Sequence, residues 1–301
     1  MKSVWFWTIL WFLLRGGVLL GVGCFLFTFL LFWKNAQPPR YPLLYPEAPT
    51  LPLEEVAFRT ADGVVLKGSL SLKDPKRPTL LICHGVGANR ADLYPFAQLL
   101  YEKGKWNIFA FDFRAHGQSG GRLTSYGALE QRDLEAALAF LDKKPLRREY
   151  GFLGVSMGAS VGILVAARDT RLKAIWVDSP YADLPEAIRT YLKTFFRLPE
   201  FPFFGFTLLS YRLLFHRGAD EVSPIKKVGQ IAPRPLMIVS GLADERIRPD
   251  VSQRLYEKAL EPKSLWLIPG AGHLEGHAIE TQSYNERLLR FFEKAFEENS
   301  F

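Results

Sequence analysis

The 301-residue chain is long enough for one large or two small domains, and its composition excludes an intrinsically disordered protein. Hydrophobic residues make up 48% of the chain and aromatic residues 14%, which is ample for a packed core. The net charge of +7 is spread along the chain without a basic and aromatic cluster, so no nucleic-acid partner is expected. Both cysteines, Cys24 and Cys83, lie in apolar segments and do not indicate a redox compartment.

Residues 1–33 predict a single membrane anchor. Within residues 4–33 the one charged side chain is Arg15, and residues 16–33 form an uncharged run. As a helix this run spans about 27 Å, close to the thickness of the hydrocarbon core of a bilayer. Tryptophans near both ends suit the two membrane interfaces. A cleaved signal peptide is the alternative, but the apolar region is long and lacks a convincing cleavage site.

The flanks of the anchor carry nearly balanced basic charge, with Lys2 and Arg15 on one side and Lys34 and Arg40 on the other. We favour an N-terminus inside the cytoplasm and a body outside it. Residues 34–52 contain six prolines, which block helix and sheet formation. This segment is therefore predicted to be an extended spacer, or stalk.

From residue 53 to residue 301, short apolar runs alternate with helical patterns. Strands are predicted at 54–60, 64–70, 79–84, 107–113, 150–156, 173–179, 235–241 and 264–270, the first two as a hairpin. Helices are predicted between the later strands, at 91–103, 128–142, 157–168, 250–260 and 281–298. Most of the strands are continuously apolar, as expected of parallel strands covered on both faces. The pattern predicts an α/β fold with a mostly parallel eight-stranded sheet flanked by helices.

The stretch GVSMG encloses Ser156 between Gly154 and Gly158, where a predicted strand ends and a helix begins. Ligands of parallel sheets bind at the carboxyl ends of the strands. A tight strand-to-helix turn that exposes a serine brings the residues two before and two after it together, and glycine avoids a clash there. Ser156 is therefore predicted to be a nucleophile rather than part of a packing turn.

A serine hydroxyl needs a base to become a nucleophile, and the base needs an orienting group. His273 is the predicted base because it follows the last strand on a glycine-rich loop, and His277 is the alternative. The predicted orienting acid is Asp244, just past the seventh strand. Glu245 and Asp178 are alternatives, each also near the end of a strand.

The loop that follows the third strand reads His84-Gly85-Val86-Gly87, and its glycines let backbone N–H groups approach a reacting carbon. We predict an oxyanion hole formed by the N–H groups of Val86 and Met157. The run H-L-E-G-H at 273–277 does not match a zinc-binding helix, so neither a metal nor another cofactor is expected.

From about residue 54 to residue 298 the chain resembles the α/β-hydrolase superfamily, through HGVG, FDFRAHGQSGG, GVSMG, DSP, SPIKKV, PRPLMIVSGLADERI and IPGAGH. It is most similar to bacterial membrane-anchored serine hydrolases described as esterases, lysophospholipases or dipeptidyl-aminopeptidase-like proteins. The resemblance implies the fold and a triad in the order Ser156, Asp244, His273. It does not imply a substrate.

One motif departs from the pattern of the superfamily. In FDFRAHG, Ala115 replaces the glycine of the common D-x-R-G-x-G run. Asp112, Arg114 and His116 of this motif are expected to support the rim of the site rather than to take part in chemistry.

Residues 181–219 interrupt the alternation of strands and helices and are predicted to form a helical cap over the site. Ten aromatic residues fall between Tyr181 and Phe215. These aromatic residues are predicted to form the core of the cap itself, an apolar pocket for an acyl chain, or both.

Together these features predict a single-pass membrane serine hydrolase that cleaves carboxylic esters or thioesters through an acyl-serine intermediate, on substrates with a hydrophobic acyl group. A non-catalytic membrane-tethered binding protein on the same fold is one alternative, since fold alone does not establish activity. A serine peptidase is another. The expected partners are a small-molecule ester or acyl substrate and the lipid bilayer, and the sequence does not determine the oligomeric state.

Overall fold

One eight-stranded, mostly parallel sheet organises the computed structural model, which describes residues 2–45, 50–104 and 106–297. The strands are β1 Glu54–Arg59, β2 Val65–Ser71, β3 Thr79–Cys83, β4 Asn107–Phe111, β5 Tyr150–Val155, β6 Leu172–Asp178, β7 Leu236–Gly241 and β8 Lys263–Ile268. Their order in the sheet is β1-β2-β4-β3-β5-β6-β7-β8. The pairs β1 with β2 and β2 with β4 are antiparallel, and the remaining pairs are parallel. The predicted sheet is confirmed.

Most of the described helices occur where the sequence predicts them, with end points that shift by a few residues, but the short helix Gly276–Ile279 was not predicted. They are α1 Lys2–Asn35, α2 Tyr94–Glu102, α3 Glu130–Leu141, α4 Met157–Ala166, α5 Leu184–Thr194, α6 Phe203–Phe215, α7 Pro249–Lys258, α8 Gly276–Ile279 and α9 Thr281–Glu297. A 3-10 turn, Arg90–Leu93, precedes α2 and accounts for the start of the predicted helix 91–103. Residue 298, the predicted end of the last helix, lies outside the described residues.

The two faces of the sheet bury separate hydrophobic clusters. Along β3, Leu81 and Cys83 join the cluster that includes side chains of α3 and α4, whereas Leu80 and Ile82 join the one that includes side chains of α2 and α9. All four side chains are fully buried. Because successive side chains of a strand point to opposite faces, burial of both faces requires an uninterrupted apolar run. Each fully buried aliphatic side chain contributes about 1.5–3 kcal/mol to stability.

The strand order brings two loops together at the carboxyl edge of the sheet. Strand β3 lies between β4 and β5, and Cys83 at its end is paired with Gly154 of β5. The chain therefore leaves β3 and β5 side by side, which is where ligands bind in open α/β sheets. The loop after β3 and the turn at Ser156 are neighbours for this reason.

Helix α1 is long and apolar enough to cross a membrane, with a mean hydropathy of 2.1 over Trp5–Asn35. Residues 36–45, which follow it, form neither helix nor strand, but they are docked on the domain rather than free. The guanidinium of Arg40 donates to the carbonyl oxygens of Gly117, Ser119 and Gly121. Residues 46–49 of the predicted stalk lie outside the described residues.

Candidate active site

Ser156 sits on the turn between β5 and α4 with backbone angles that few residues other than glycine adopt. Its φ is 51° and its ψ is −116°, outside the allowed regions for an L-amino acid. Such strain persists only where the surrounding structure imposes it. The turn carries the serine to the carboxyl edge of the sheet.

The two glycines that flank Ser156 are required by close backbone contacts. A Cβ on Gly154 would lie 2.8 Å from the carbonyl carbon of Gly158. A Cβ on Gly158 would lie 2.5 Å from the carbonyl oxygen of Cys83, at the end of β3. The sequence-based explanation of the glycine pair therefore agrees with the geometry of the turn.

The structure brings Ser156, His273 and Asp244 together from three loops. Ser156 Oγ lies 3.1 Å from His273 Nε2, and His273 Nδ1 lies 2.7 Å from Asp244 Oδ2. The other carboxylate oxygen, Oδ1, accepts 2.8 Å hydrogen bonds from the backbone N–H groups of Arg246 and Ile247. These bonds fix the carboxylate with Oδ2 directed at the imidazole.

The alternative acids have other surroundings. Glu245 is exposed. Asp178 is buried at the end of β6 and accepts hydrogen bonds from the hydroxyl groups of Tyr284, at 2.7 Å, and Ser179, at 2.9 Å. Burial raises the pKa of the Asp178 carboxyl group, and these two hydroxyl groups oppose that rise.

His277, the alternative base, lies on the short helix α8 with its Nε2 3.0 Å from Asn285 Oδ1. Its ring packs edge-on against Phe96 and Tyr284, with ring centroids 4.7 and 5.4 Å away. The contacts of the His277 ring are therefore with Asn285 and two aromatic rings, whereas His273 contacts Ser156 and Asp244.

The loop after β3 lies against the serine, as expected of an oxyanion hole. A Cβ on Gly85 would lie only 3.1 Å from the Cβ of Ser156. Gly87 has a φ of 74°, which lets the loop turn sharply. Met157 is the first residue of α4, where helix N–H groups have no partner within the helix. Gly85, which precedes Val86, and Met157, which follows Ser156, therefore both lie beside the serine.

His84 is a residue of this loop to which the sequence argument assigned no role. It is fully buried, and its Nε2 accepts a 3.0 Å hydrogen bond from the backbone N–H of Phe113. Nδ1 must then carry the proton and donate to the carbonyl oxygen of Gly85, 2.7 Å away. Burial lowers the pKa of His84 to about 3, so the imidazole is neutral at neutral pH. In the sequence, the feature that could have indicated a role for His84 is its position directly before Gly85.

The motif around residues 112–116 holds loops in place, as expected. Asp112 accepts hydrogen bonds from the backbone and the guanidinium of Arg90, and Arg114 pairs with Asp133 and Asp62. Burial raises the pKa of the Asp112 carboxyl group against the opposing effect of Arg90.

Two further residues of this motif have strained or buried settings. Ala115, in the position of the common glycine, has a φ of 63°. His116 is buried, and its Nδ1 lies 2.8 Å from the carbonyl oxygen of Arg114. The backbone angle explains why glycine suits position 115.

The segment predicted to be a cap contains α5 and α6, and four of its ten aromatic residues contact α1. These four are Phe203, Phe206, Tyr211 and Phe215. A cavity of about 70 Å³ lies between α5 and the loop after β7. Its polar lining includes Asp183, Glu186, Thr190, Arg246 and Arg248. The cavity borders the loop that holds Asp244, since Ile247 also lines it.

Comparison with known proteins agrees with this architecture. The family model for the alpha/beta hydrolase fold matches residues 78–215. The YqkD protein of Bacillus subtilis (strain 168) is 30% identical over 246 residues, which cover 80% of each chain. The chain belongs to the alpha/beta hydrolase family. The YfhR protein of Escherichia coli (strain K12) is 27% identical over 250 residues, covering 79% of this chain and 80% of that one.

A solved structure is similar to this chain over most of its own length. The esterase Pf2001 of Pyrococcus furiosus has a TM-score of 0.71 and is 27% identical, with coverage of 85% of this chain and 98% of that chain. Membership of the family and similarity to an esterase support a hydrolase that acts on a small molecule.

Proposed function

We propose that this alpha/beta hydrolase is a membrane-anchored serine hydrolase of carboxylic esters or thioesters. The observation that carries the proposal is the relay from Ser156 Oγ to His273 Nε2, 3.1 Å, and from His273 Nδ1 to Asp244 Oδ2, 2.7 Å. Asp244 accepts a hydrogen bond from the Nδ1–H of His273, which leaves Nε2 unprotonated and able to accept the proton of the serine hydroxyl.

In the proposed reaction, Ser156 Oγ attacks the acyl carbon and its proton passes to His273 Nε2. The N–H groups of Val86 and Met157 stabilise the oxyanion of the tetrahedral intermediate. His273 then protonates the departing alcohol or thiol, which leaves an acyl-serine. A water molecule, deprotonated by His273, attacks the acyl carbon, and the carboxylic acid departs as Ser156 recovers its proton.

The membrane part of the proposal rests on α1, which is long and apolar enough to span a bilayer. We place the catalytic domain on the non-cytoplasmic side. An anchored enzyme meets lipid-soluble esters at high local concentration, so the proposed substrate carries a hydrophobic acyl group.

Labelling with a fluorophosphonate tests the proposed nucleophile. The full-length protein should be labelled and should hydrolyse p-nitrophenyl esters, whereas Ser156→Ala should do neither while its unfolding temperature stays close to that of the wild type. Inert wild-type protein would favour a binding protein, and labelling of the Ala variant would contradict the assignment of Ser156.

The two histidines provide a matched control for the proposed base. His273→Ala should lower kcat by several orders of magnitude because triad members act as a unit. His277→Ala also removes an imidazole, but one that contacts Asn285 and two aromatic rings, and it should leave kcat within a few-fold. The reverse order would make His277 the base.

A series of esters of increasing chain length tests the proposed acyl group. Burial of each CH₂ contributes about 0.8 kcal/mol, so kcat/KM should rise several-fold for each two-carbon step up to a length limit. The Ser156→Ala variant provides the blank rate. A preference for acetyl over octanoyl esters would contradict a hydrophobic acyl pocket.

A further inference from the structure

The C-terminal third of α1 is packed against α6 as a parallel helix pair. The rings of Phe25 and Phe27 lie 5.6 and 6.2 Å from those of Phe206 and Phe203, near the start of α6. Further along α1, Phe32 lies 6.3 Å from Phe215 at the end of α6. The earlier contact residues of α1 meet the start of α6, and the later one meets its end. The two helices therefore run in the same direction, and the start of α6 lies at the level of Phe25 and Phe27.

The preceding part of α1 has no such cover. Its apolar side chains are largely exposed, for example Leu19 at 72% and Leu20 at 70%, whereas Thr28 and Phe32 are buried. Residues 6–25 form a helical segment about 29 Å long, which matches the hydrocarbon core of a bilayer. This position of the span puts the start of α6 at a membrane boundary.

The positions of charged side chains favour a span over residues 6–25 rather than over the uncharged run 16–33. Arg189 lies over the ring of Phe204, 4.3 Å from its centroid, and pairs with Glu200 at 2.9 Å. A span over 16–33 would carry this pair into the hydrocarbon at the level of Phe27. A span over 6–25 instead encloses the single charge of Arg15, which stacks on Trp11. Charged side chains are costly within the hydrocarbon of a bilayer, so a span that encloses one charge is preferred to a span that encloses two.

Residues 195–202, between α5 and α6, form a surface that we call the cap rim. Three phenylalanines of the rim are exposed: Phe201 at 89%, Phe195 at 45% and Phe196 at 36%. The rim also carries Arg197, and Lys193 precedes it. Aromatic and basic side chains together are typical of the boundary between lipid and water, where rings enter the interface and cations meet headgroups.

We propose that the cap rim is inserted into the interface of the bilayer that α1 spans, so that the hydrolase takes its ester substrate from that bilayer. This inference rests on the proposed membrane anchor and names the source of the substrate. The rim contacts lipid because it precedes α6, and α6 packs side by side with α1, the helix that enters the membrane.

The test uses the full-length protein in vesicles of phosphatidylcholine and phosphatidylglycerol. Phe201→Cys and Leu260→Cys are each made in a Cys24→Ser background and labelled with an environment-sensitive dye, since Cys83 is fully buried. Leu260 is 61% exposed and lies before the amino end of β8, whereas the cap follows the carboxyl end of β6. Nitroxide-bearing lipids should quench the dye at position 201 several-fold more than the dye at position 260.

Other outcomes separate this inference from the proposed anchor. Equal quenching at the two positions, in protein that resists carbonate extraction, overturns the rim and leaves the anchor. Extraction of the protein by carbonate overturns the anchor itself. A blue shift at position 201 without quenching by lipid identifies contact with a second protein copy and also overturns the rim.

A pair of activity variants gives an independent readout. Phe201→Glu should lower the hydrolysis of a long-chain ester presented in these vesicles several-fold and leave that of a soluble short-chain ester unchanged. Leu260→Glu should change neither rate. Equal rates of Phe201→Glu and wild type on vesicles would contradict the insertion of the rim.

Discussion

His84 links the core of the fold to the proposed oxyanion hole. Its Nδ1–H binds the carbonyl oxygen of Gly85, and that carbonyl belongs to the same planar trans peptide as the N–H of Val86. Because the two groups of a trans peptide point in opposite directions, the imidazole fixes the direction of the Val86 N–H. The neutral tautomer is set by the N–H of Phe113, which occupies Nε2.

We predict that His84→Ala lowers kcat with little change in KM. Removal of an oxyanion-hole donor lowers kcat by about 10²–10³-fold. A donor that remains but is misaligned should lower kcat by up to about 10²-fold. Steady-state kinetics on a soluble ester measure both constants, and the unfolding temperature reports the damage to the fold.

Two amide variants distinguish alignment from packing. Asn at position 84 can place a donor near the position of Nδ1, whereas Gln reaches the position of Nε2 and restores only the acceptor for Phe113. His84→Asn should therefore retain more of kcat than His84→Gln. Equal losses in the two variants would reduce His84 to a core residue.

The sequence identified the residues of the candidate site to different depths. Ser156 was selected by a local motif, because the glycine pair and the strand-to-helix change are both readable from neighbouring residues. His273 and His277 lie four positions apart, the first on the loop after β8 and the second on α8, and the backbone path between them gives them different surroundings. The loop turns through Gly270, with a φ of 72°, and Leu274, with a φ of 62°. The composition around the histidines does not determine that path.

At the scale of secondary-structure elements, apolar runs predicted the central strands, because burial on both faces leaves a continuous signal in each of them. The largely exposed β1 was predicted from the turn of its hairpin with β2. The pairing of α1 with α6 was not predictable in the same way. It joins residues about 180 positions apart, and the aromatic residues involved were equally consistent with a pocket in the cap. Long-range contacts of this kind depend on the assembled sheet rather than on local pattern.

The contact between α4 and the end of β3 predicts a sharp effect of one methyl group. In Gly158→Ala the added Cβ would meet the carbonyl oxygens of Cys83 and His84, at 2.5 and 2.6 Å. Overpacking of a core costs about 1–3 kcal/mol, and here the displaced backbone leads into the loop of Gly85. Denaturant unfolding should show the loss of stability. Esterase assays should show a decrease in kcat that is larger than the increase in KM.

Gly205 provides the control for this prediction. It lies inside α6, and a Cβ there meets no atom within 4 Å in the described part of the chain. Gly205→Ala should keep full activity on a soluble ester and raise stability by about 0.5–1 kcal/mol, since alanine favours a helix interior over glycine. Equal behaviour of the two variants would show that the turn can relax without cost.

At the scale of the whole molecule, the N-terminal segments and the hydrolase domain form one connected body. Phe32 is 8% exposed and Ala36 is fully buried. Ala36 accepts a 2.8 Å hydrogen bond from the backbone N–H of Thr124, and Arg40 holds three carbonyl oxygens of the loop at 117–121. The orientation of the active site relative to α1 is therefore set by contacts, whereas a free proline-rich stalk would leave it variable.

This arrangement predicts that the position of an N-terminal truncation decides the stability of the remaining domain. A chain that starts at Cys24 keeps the packed end of α1 and the Arg40 contacts, so in detergent it should unfold at nearly the temperature of the full-length protein. A chain that starts at Leu51 loses the burial of Phe32, worth about 1.5–3 kcal/mol. It also loses the three hydrogen bonds of Arg40, which are at least partly exposed to solvent and contribute about 0.5–1.5 kcal/mol each. Because domains are stable by only about 5–15 kcal/mol, the shorter chain should unfold at a clearly lower temperature or fail to accumulate.

Arg40→Ala in the full-length protein separates the two causes, since it removes the hydrogen bonds alone and should produce an intermediate loss. Equal unfolding temperatures for the chains that start at Cys24 and Leu51 would mean that α1 and the segment after it contribute nothing to the stability of the domain. The active site would then be free to change its orientation above the membrane.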